Sequence, residues 1–183
     1  MNRFGLAAAT AVVLLAGGST QAATLVIGNG LAAECSQEAF KGRADKQALD
    51  LCTAALEGQL MTPEDAAKTH VNRGVVYLRR GVFDLAEKDF NIAAKTYSLP
   101  ETYINMGAVR IRQKRFEEAV DVIDKGLALG PLEPEKGYFN RAVAKEAMDD
   151  LQGAYLDFRK AAELKPDWLE PKKQMDRFIV ETR

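Results

Sequence analysis

Small and large residues recur along this chain at fixed internal spacing, in four successive segments. With Ser36, Gly74, Gly107 and Ala142 as origins, Ala48, Ala86, Ala119 and Ala154 follow at +12. Bulky or apolar Cys52, Phe90, Ile123 and Phe158 follow at +16, and Ala55, Ala93, Gly126 and Ala161 at +19. Three segments carry a ring four residues before the origin, His70, Tyr103 and Tyr138, and two close on proline, Pro131 and Pro166. The pattern predicts helical hairpins, because small residues on facing helices let two backbones approach while the large residue fills the space beside the contact. Glycine inside a helix costs about 1 kcal/mol against alanine, so Gly74 and Gly107 need a packing reason, and a close crossing supplies one. Arg80-Gly81, Lys114-Arg115 and Asp149-Asp150 read as turns within hairpins, and Pro100, Pro134 and Pro166 as junctions between them. Thr62 ahead of Pro63 predicts a capped helix start. Asp167 to Arg183 reads as one more helix, with Trp168, Leu169, Met175, Phe178 and Ile179 as its buried stripe.

These residues resemble the tetratricopeptide repeat, a helical hairpin with an aromatic, Leu-Gly and Tyr in its first helix and Ala, Phe and Pro in its second. The match runs through Gly74, Tyr77, Ala86, Phe90 and Ala93, then Tyr103, Gly107, Ala119 and Pro131, then Tyr138, Ala154, Phe158, Ala161 and Pro166. It departs where the Tyr place holds Arg110 and Lys145. The resemblance implies an all-α fold: a right-handed solenoid of three clear repeats and one degenerate N-terminal repeat, with a C-terminal capping helix over the last hairpin. The units fall at about 31–60, 63–98, 100–132 and 135–166, and the cap at 167–183. In the degenerate unit Cys35 takes the place of the first-helix leucine and Cys52 that of the second-helix aromatic.

Ahead of the repeats, Arg3 gives a positive start, Phe4 to Ala16 is apolar and uncharged, and Thr20-Gln21-Ala22 puts small residues where a signal peptidase reads. A signal peptide over 1–22, cleaved after Ala22, and an extended mature N-terminus over 23–30 are expected, with export to a bacterial periplasm or beyond. An uncleaved anchor is the rival, but the run falls short of the roughly 20 apolar residues a spanning helix needs and is broken by Gly17-Gly18. Export changes the reading of the two cysteines, since an oxidising compartment lets Cys35 and Cys52 pair. Buried free thiols are the competing state, and the interval between the two rules out a Cys-x-x-Cys redox motif. The chain has 183 residues, 47% of them hydrophobic, and a formal charge of −1 with both signs interspersed. That composition fits one globular domain and lacks the basic footprint of a nucleic-acid or anionic-lipid binder.

Candidate chemistry is sparse. Gly28-x-Gly30-x-x-Ala33 has the form of a dinucleotide-binding turn, but helical hairpins follow it where a second strand ending in an acid would be required. His70 is the only histidine and fills the ring place of its repeat, without a second ligand at metal spacing. Glu117-Glu118 and Asp149-Asp150 sit where second helices begin and complement the helix dipole. No catalytic residue, metal or cofactor is expected.

What remains is the concave face, which in this fold is lined by first helices. It should carry Val71, Asn72, Val75 and Arg79, then Ile104, Asn105, Ala108 and Arg112, then Phe139, Asn140, Val143 and Glu146. Asn72, Asn105 and Asn140 recur two residues before each origin. A row of amides can grip the backbone of an extended peptide, with Val71, Ile104 and Phe139 as an apolar track beside it; the same amides can instead tie neighbouring hairpins together. Some members of the family clamp a partner's terminal carboxylate with lysine and asparagine on this face, and the corresponding lysine places of this chain hold Val71 and Glu101. The expectation is therefore a non-enzymatic module that binds an apolar or amphipathic segment of a partner protein, with some acidic preference from Arg79 and Arg112. The alternatives are a structural or self-assembling solenoid, and an enzyme or small-molecule carrier that uses the groove.

Overall fold

The computed structural model describes residues 3–6, 30–58 and 60–181. Among these, eight helices pair into four hairpins: α1 (Leu31–Phe40) with α2 (Lys46–Gly58), α3 (Pro63–Arg79) with α4 (Phe83–Thr96), α5 (Pro100–Arg112) with α6 (Phe116–Ala128), and α7 (Pro134–Ala147) with α8 (Leu151–Leu164). A short α9 (Leu169–Met175) packs on α8. Two four-residue strands, β1 (Arg3–Leu6) and β2 (Phe178–Glu181), pair antiparallel with Arg3 opposite Glu181 and Leu6 opposite Phe178.

The recurrent small residues are where the hairpins close. A Cβ placed on Gly74 would stand 2.5 Å from Phe90 Cε1, and one on Gly107 would stand 2.2 Å from Ile123 Cγ1. No side chain fits at either position, so the large residue lies directly over the glycine rather than beside it. All the +12 alanines and the +19 alanines are shut off from solvent. Three hairpins turn through a residue at the same repeat position with positive φ: Gly81 at 74°, Lys114 at 61° and Asp149 at 64°. Thr62 Oγ1 accepts the Asp65 N–H at 3.1 Å, and Asp150 caps α8 by accepting from Gly153 N–H at 2.9 Å. The capped start at Thr62 and Pro63 is the one expected from the sequence; the Asp150 cap was not.

The first hairpin closes differently. Its interior is Ala32, Cys35, Ala39, Ala48, Cys52 and Ala55, too thin to fill the space that Phe90 fills next door. Cys35 and Cys52 form a disulfide across it, with Cα atoms 4.7 Å apart and both residues closed to solvent. In the chain-entropy model a loop of this length is stabilised by about 3 kcal/mol.

Hairpins stack so that α1, α3, α5 and α7 each pack on the next, whereas α2, α4, α6 and α8 meet one another at most marginally. The first helices therefore form the inner, more closely spaced row. Arginines stitch the units: Arg73 Nη1 donates to Thr53 on α2 at 3.1 Å, Arg79 and Arg80 donate to the Ala39 and Ala44 carbonyls, and Arg115 reaches Glu87 at 3.2 Å. Arg141 on α7 binds Asp124 on α6.

The C-terminal end departs from the expected single helix over 167–183. Helix α9 stops at Met175, and Phe178 opens β2. The Phe-Ile-Val run favours extended backbone, and from there Phe178 packs its ring on Tyr155 and Phe158, with centroids at 5.9 and 6.1 Å. Trp168 and Met175 join that cluster as foreseen, but Leu169 points to solvent. Of the expected signal peptide, residues 3–6 form β1; residues 7–22, the cleavage position and residues 23–29 of the extended N-terminus lie outside the described residues. Among the described residues no helix is long and apolar enough to cross a membrane.

Candidate functional site on the inner helix row

The inner row brings the expected partner-binding residues onto one side of the solenoid, but mostly as core. Val71, Asn72, Val75, Ile104, Asn105, Ala108, Phe139 and Asn140 are each exposed by 1% or less. Val71, Val75 and Ala108 belong to the apolar cluster that joins α3, α4 and α5. Ile104 is pressed against Gly126 and Gly137, and Phe139 stacks on Phe158 and Trp168 with centroids at 5.4 and 4.8 Å. The apolar track read from the sequence is thus a seam of the interior, a correction to its reading as an open contact strip. The cause is geometric: residues three before each origin face the neighbouring second helix once the glycine contact has drawn the helices together.

Arg79 and Arg112 are exposed and Val143 is half-buried. Arg79 donates to the Ala39 carbonyl, and Arg112 lies over the Phe83 ring at 5.4 Å. Glu146 pairs with Arg177. Asn72 and Asn105 are already engaged in the structure. Asn140 differs: its Nδ2 is buried and finds no hydrogen-bond partner among the described residues.

Charged residues the sequence reading passed over lie inside the hairpins. Asp89 on α4 is 2% exposed and receives Arg73 Nε at 2.8 Å and His70 Nδ1 at 2.9 Å. Burial raises its carboxyl pKa, but the hydrogen bonds from Arg73 and His70 outweigh it and hold the group below the usual carboxylate value. His70 is thus a polar partner of a buried carboxylate rather than a packed ring. Asp157 on α8 repeats the arrangement, with Arg141 at 2.7 Å and Lys145 at 2.8 Å. The hydrogen bonds that Arg141 donates to Asp157 raise the Arg141 pKa above its already high ordinary value. The signal was available: in both units an arginine one residue before the origin faces an aspartate at +15.

Glu101 is buried, and its Oε1 accepts the Leu132 N–H at 3.2 Å. Glu135, the second residue of α7 as Glu101 is of α5, is buried beside Lys165 at 3.6 Å; the place six residues before the origin, which Glu101 holds in α5, is Lys136 in α7. Both glutamates hold the junction after their own hairpin. Among the described residues no group of three or more His, Cys, Asp or Glu could hold a metal ion.

Comparison with known proteins agrees with this geometry. Residues 135–167, the α7–α8 hairpin, match the model of the tetratricopeptide repeat family. No curated protein matches the chain in sequence. Among solved structures, the TPR domain of Arabidopsis OM64 superposes with a TM-score of 0.58 at 21% identity, over 62% of this chain and 93% of that one. A crystal structure of MamA superposes with 0.62 at 17% identity, over 81% and 82% of the two chains. MamA from Desulfovibrio magneticus RS-1, from residue 41 to its end, gives 0.59 at 19%, over 82% and 84%. At these identities the structural likeness speaks for the fold. Four hairpins on one small-residue register, the last of them matching the repeat model, give the chain the fold of a tetratricopeptide-repeat solenoid.

Proposed function

We propose that this protein is a non-enzymatic interaction module, exported to the periplasm or beyond, that receives an extended apolar or amphipathic segment of a partner protein along its inner helix row. Tetratricopeptide repeats are in general a protein-interaction scaffold, and the present fold shares that scaffold. The observation that carries the finer reading is Asn140, whose buried Nδ2 lacks an acceptor on the inner row. Leaving such a donor unpaired costs about 1–3 kcal/mol; a peptide carbonyl supplies the missing acceptor only where the bound segment displaces what covers this side chain, since Asn140 is 1% exposed. Because the neighbouring apolar residues are core, contact on this face falls to the residues at its rim, Val143, Arg79 and Arg112, and to any segment that reaches Asn140 between them.

The test is a photo-crosslinking amino acid placed in the cell at position 143 on the inner row, and separately at position 88 on the outer face of α4. The reading expects adducts with a partner from position 143 that are absent from position 88 and that fade in an Asn140→Ala background. Adducts from position 88 alone would sink it. Export is tested by the mass and N-terminal sequence of the native protein, which should begin at Ala23.

A further inference from the structure

Among the described residues, strands pair only where the C-terminal strand β2 meets β1. Phe178 fixes the start of β2 to the last hairpin, since its side chain is buried against Tyr155 and Phe158. The two strands have different fates on the export reading. β2 follows the last repeat and stays with it, whereas β1 lies within residues 1–22, which processing after Ala22 removes. The processed chain then keeps the Phe-Ile-Val-Glu strand but loses what covers one of its edges. An open strand edge presents a row of unpaired N–H and C=O groups and is a template for another strand. Phe, Ile and Val favour extended backbone, so the edge is kept in the form that a further strand can join.

What fills the place here indicates what the processed protein takes there. In the antiparallel register Arg3 stands opposite Glu181, Phe4 opposite Val180, Gly5 opposite Ile179 and Leu6 opposite Phe178. We infer that β2 is a strand-addition site. In the processed protein it receives, in the place of β1, an extended segment of a partner protein with a basic residue opposite Glu181 and apolar or small residues after it. The site depends on the export reading of the proposed function, since processing is what clears the place. It adds to the inner row a second contact at the C-terminal end of the solenoid. In strand addition the main-chain hydrogen bonds give affinity and the side chains give selectivity, and an opposite-charge pair across two strands favours one register over others. A second copy of the chain is a poorer occupant, because β2 paired end to end with another β2 sets Phe178 opposite Glu181 in place of a basic residue.

The probe is a fluorescent peptide with the sequence of residues 2–8, added to the protein in the form the cell leaves it. Binding is followed by fluorescence anisotropy, and the N-terminus of the protein is read by mass spectrometry. The processed chain, beginning at Ala23, should bind the peptide saturably, and the unprocessed full chain at least about tenfold more weakly, because β1 already holds the place. Successive N–H groups of a strand point to opposite edges, so one of Ile179→Pro and Val180→Pro removes a bond to the added strand and should lower affinity at least about tenfold. The helical circular dichroism should be unchanged in both. Glu181→Lys should weaken binding about threefold, and a peptide carrying Arg3→Glu should recover it. A processed chain that ignores the peptide, an affinity untouched by either proline, or a processed chain that forms a dimer which either proline dissolves would each overturn the inference and leave the export reading standing. A native protein that still begins with residues 1–22 would overturn the export reading, and the vacated strand with it.

Discussion

The α3–α4 and α5–α6 hairpins put different chemistry at the same pair of positions. One residue before the origin and fifteen after it, α3–α4 holds Arg73 and Asp89, joined at 2.8 Å, while α5–α6 holds Met106 and Val122 in one apolar cluster. The α7–α8 hairpin returns to the ion pair with Arg141 and Asp157. The first hairpin uses that first-helix position for Cys35 and closes with a disulfide to Cys52. One backbone arrangement therefore tolerates an ion pair, an apolar pair or a covalent bond at its centre. What the repeat requires there is that the gap be filled and every polar group paired. The sign of the chemistry is free, because a buried ion pair repays its desolvation only when its geometry is complete, and an apolar pair of similar volume does as well or better.

That comparison breaks first where one half of a pair is removed. Asp89→Ala leaves Arg73 and His70 facing a buried gap, and chemical denaturation should show a loss of about 4 kcal/mol. A loss near the ordinary surface value would mean that the pair adds little to the hairpin. Next comes the covalent filling. Cys35→Ser with Cys52→Ser should cost about 3 kcal/mol, and hydrogen exchange should locate the damage in α1 and α2 while α5 to α8 keep their protection, since repeat units depend chiefly on their neighbours. Damage spread evenly over all hairpins would contradict that locality.

The smallest expected change is the most informative. Arg73→Met with Asp89→Val installs the α5–α6 solution in α3–α4 and should leave stability within about 1 kcal/mol of the parent. It should also flatten the acid limb. The Asp89 pKa is depressed in the folded state, so its contribution is complete above the unfolded carboxylate value of about 3.9 and is lost as pH falls below that value, through the folded one. The double variant lacks this carboxylate and should lose less stability over that acid range than the parent. An unchanged acid limb would mean that other groups set it.

The hairpins could be read from the chain because their determinants are local or nearly so. Gly74 with Phe90 and Gly107 with Ile123 share one offset, and a fixed offset across a tight turn leaves one way for two helices to meet. Thr62 and Pro63 announced a helix start by the chemistry of adjacent residues. The ion pairs were visible in principle at a similar offset but were masked, since arginine and aspartate recur on any solvated helix. The inner row was misjudged for a different reason. Val71, Ile104 and Phe139 look like a contact strip when the helix is considered alone, and become core only when the next second helix stands over them.

The sequence by itself determined the number of hairpins and their register, because both follow from spacing along the chain; it offered the pairing of Cys35 with Cys52 as one of two states, and the structure carries the disulfide. Tertiary structure alone decided which first-helix residues are closed off, that Glu101 and Glu135 are spent on the junctions, and that the chain after Met175 turns extended. Those depend on how units stack, and stacking brings together residues whose separation along the chain carries no period that announces it.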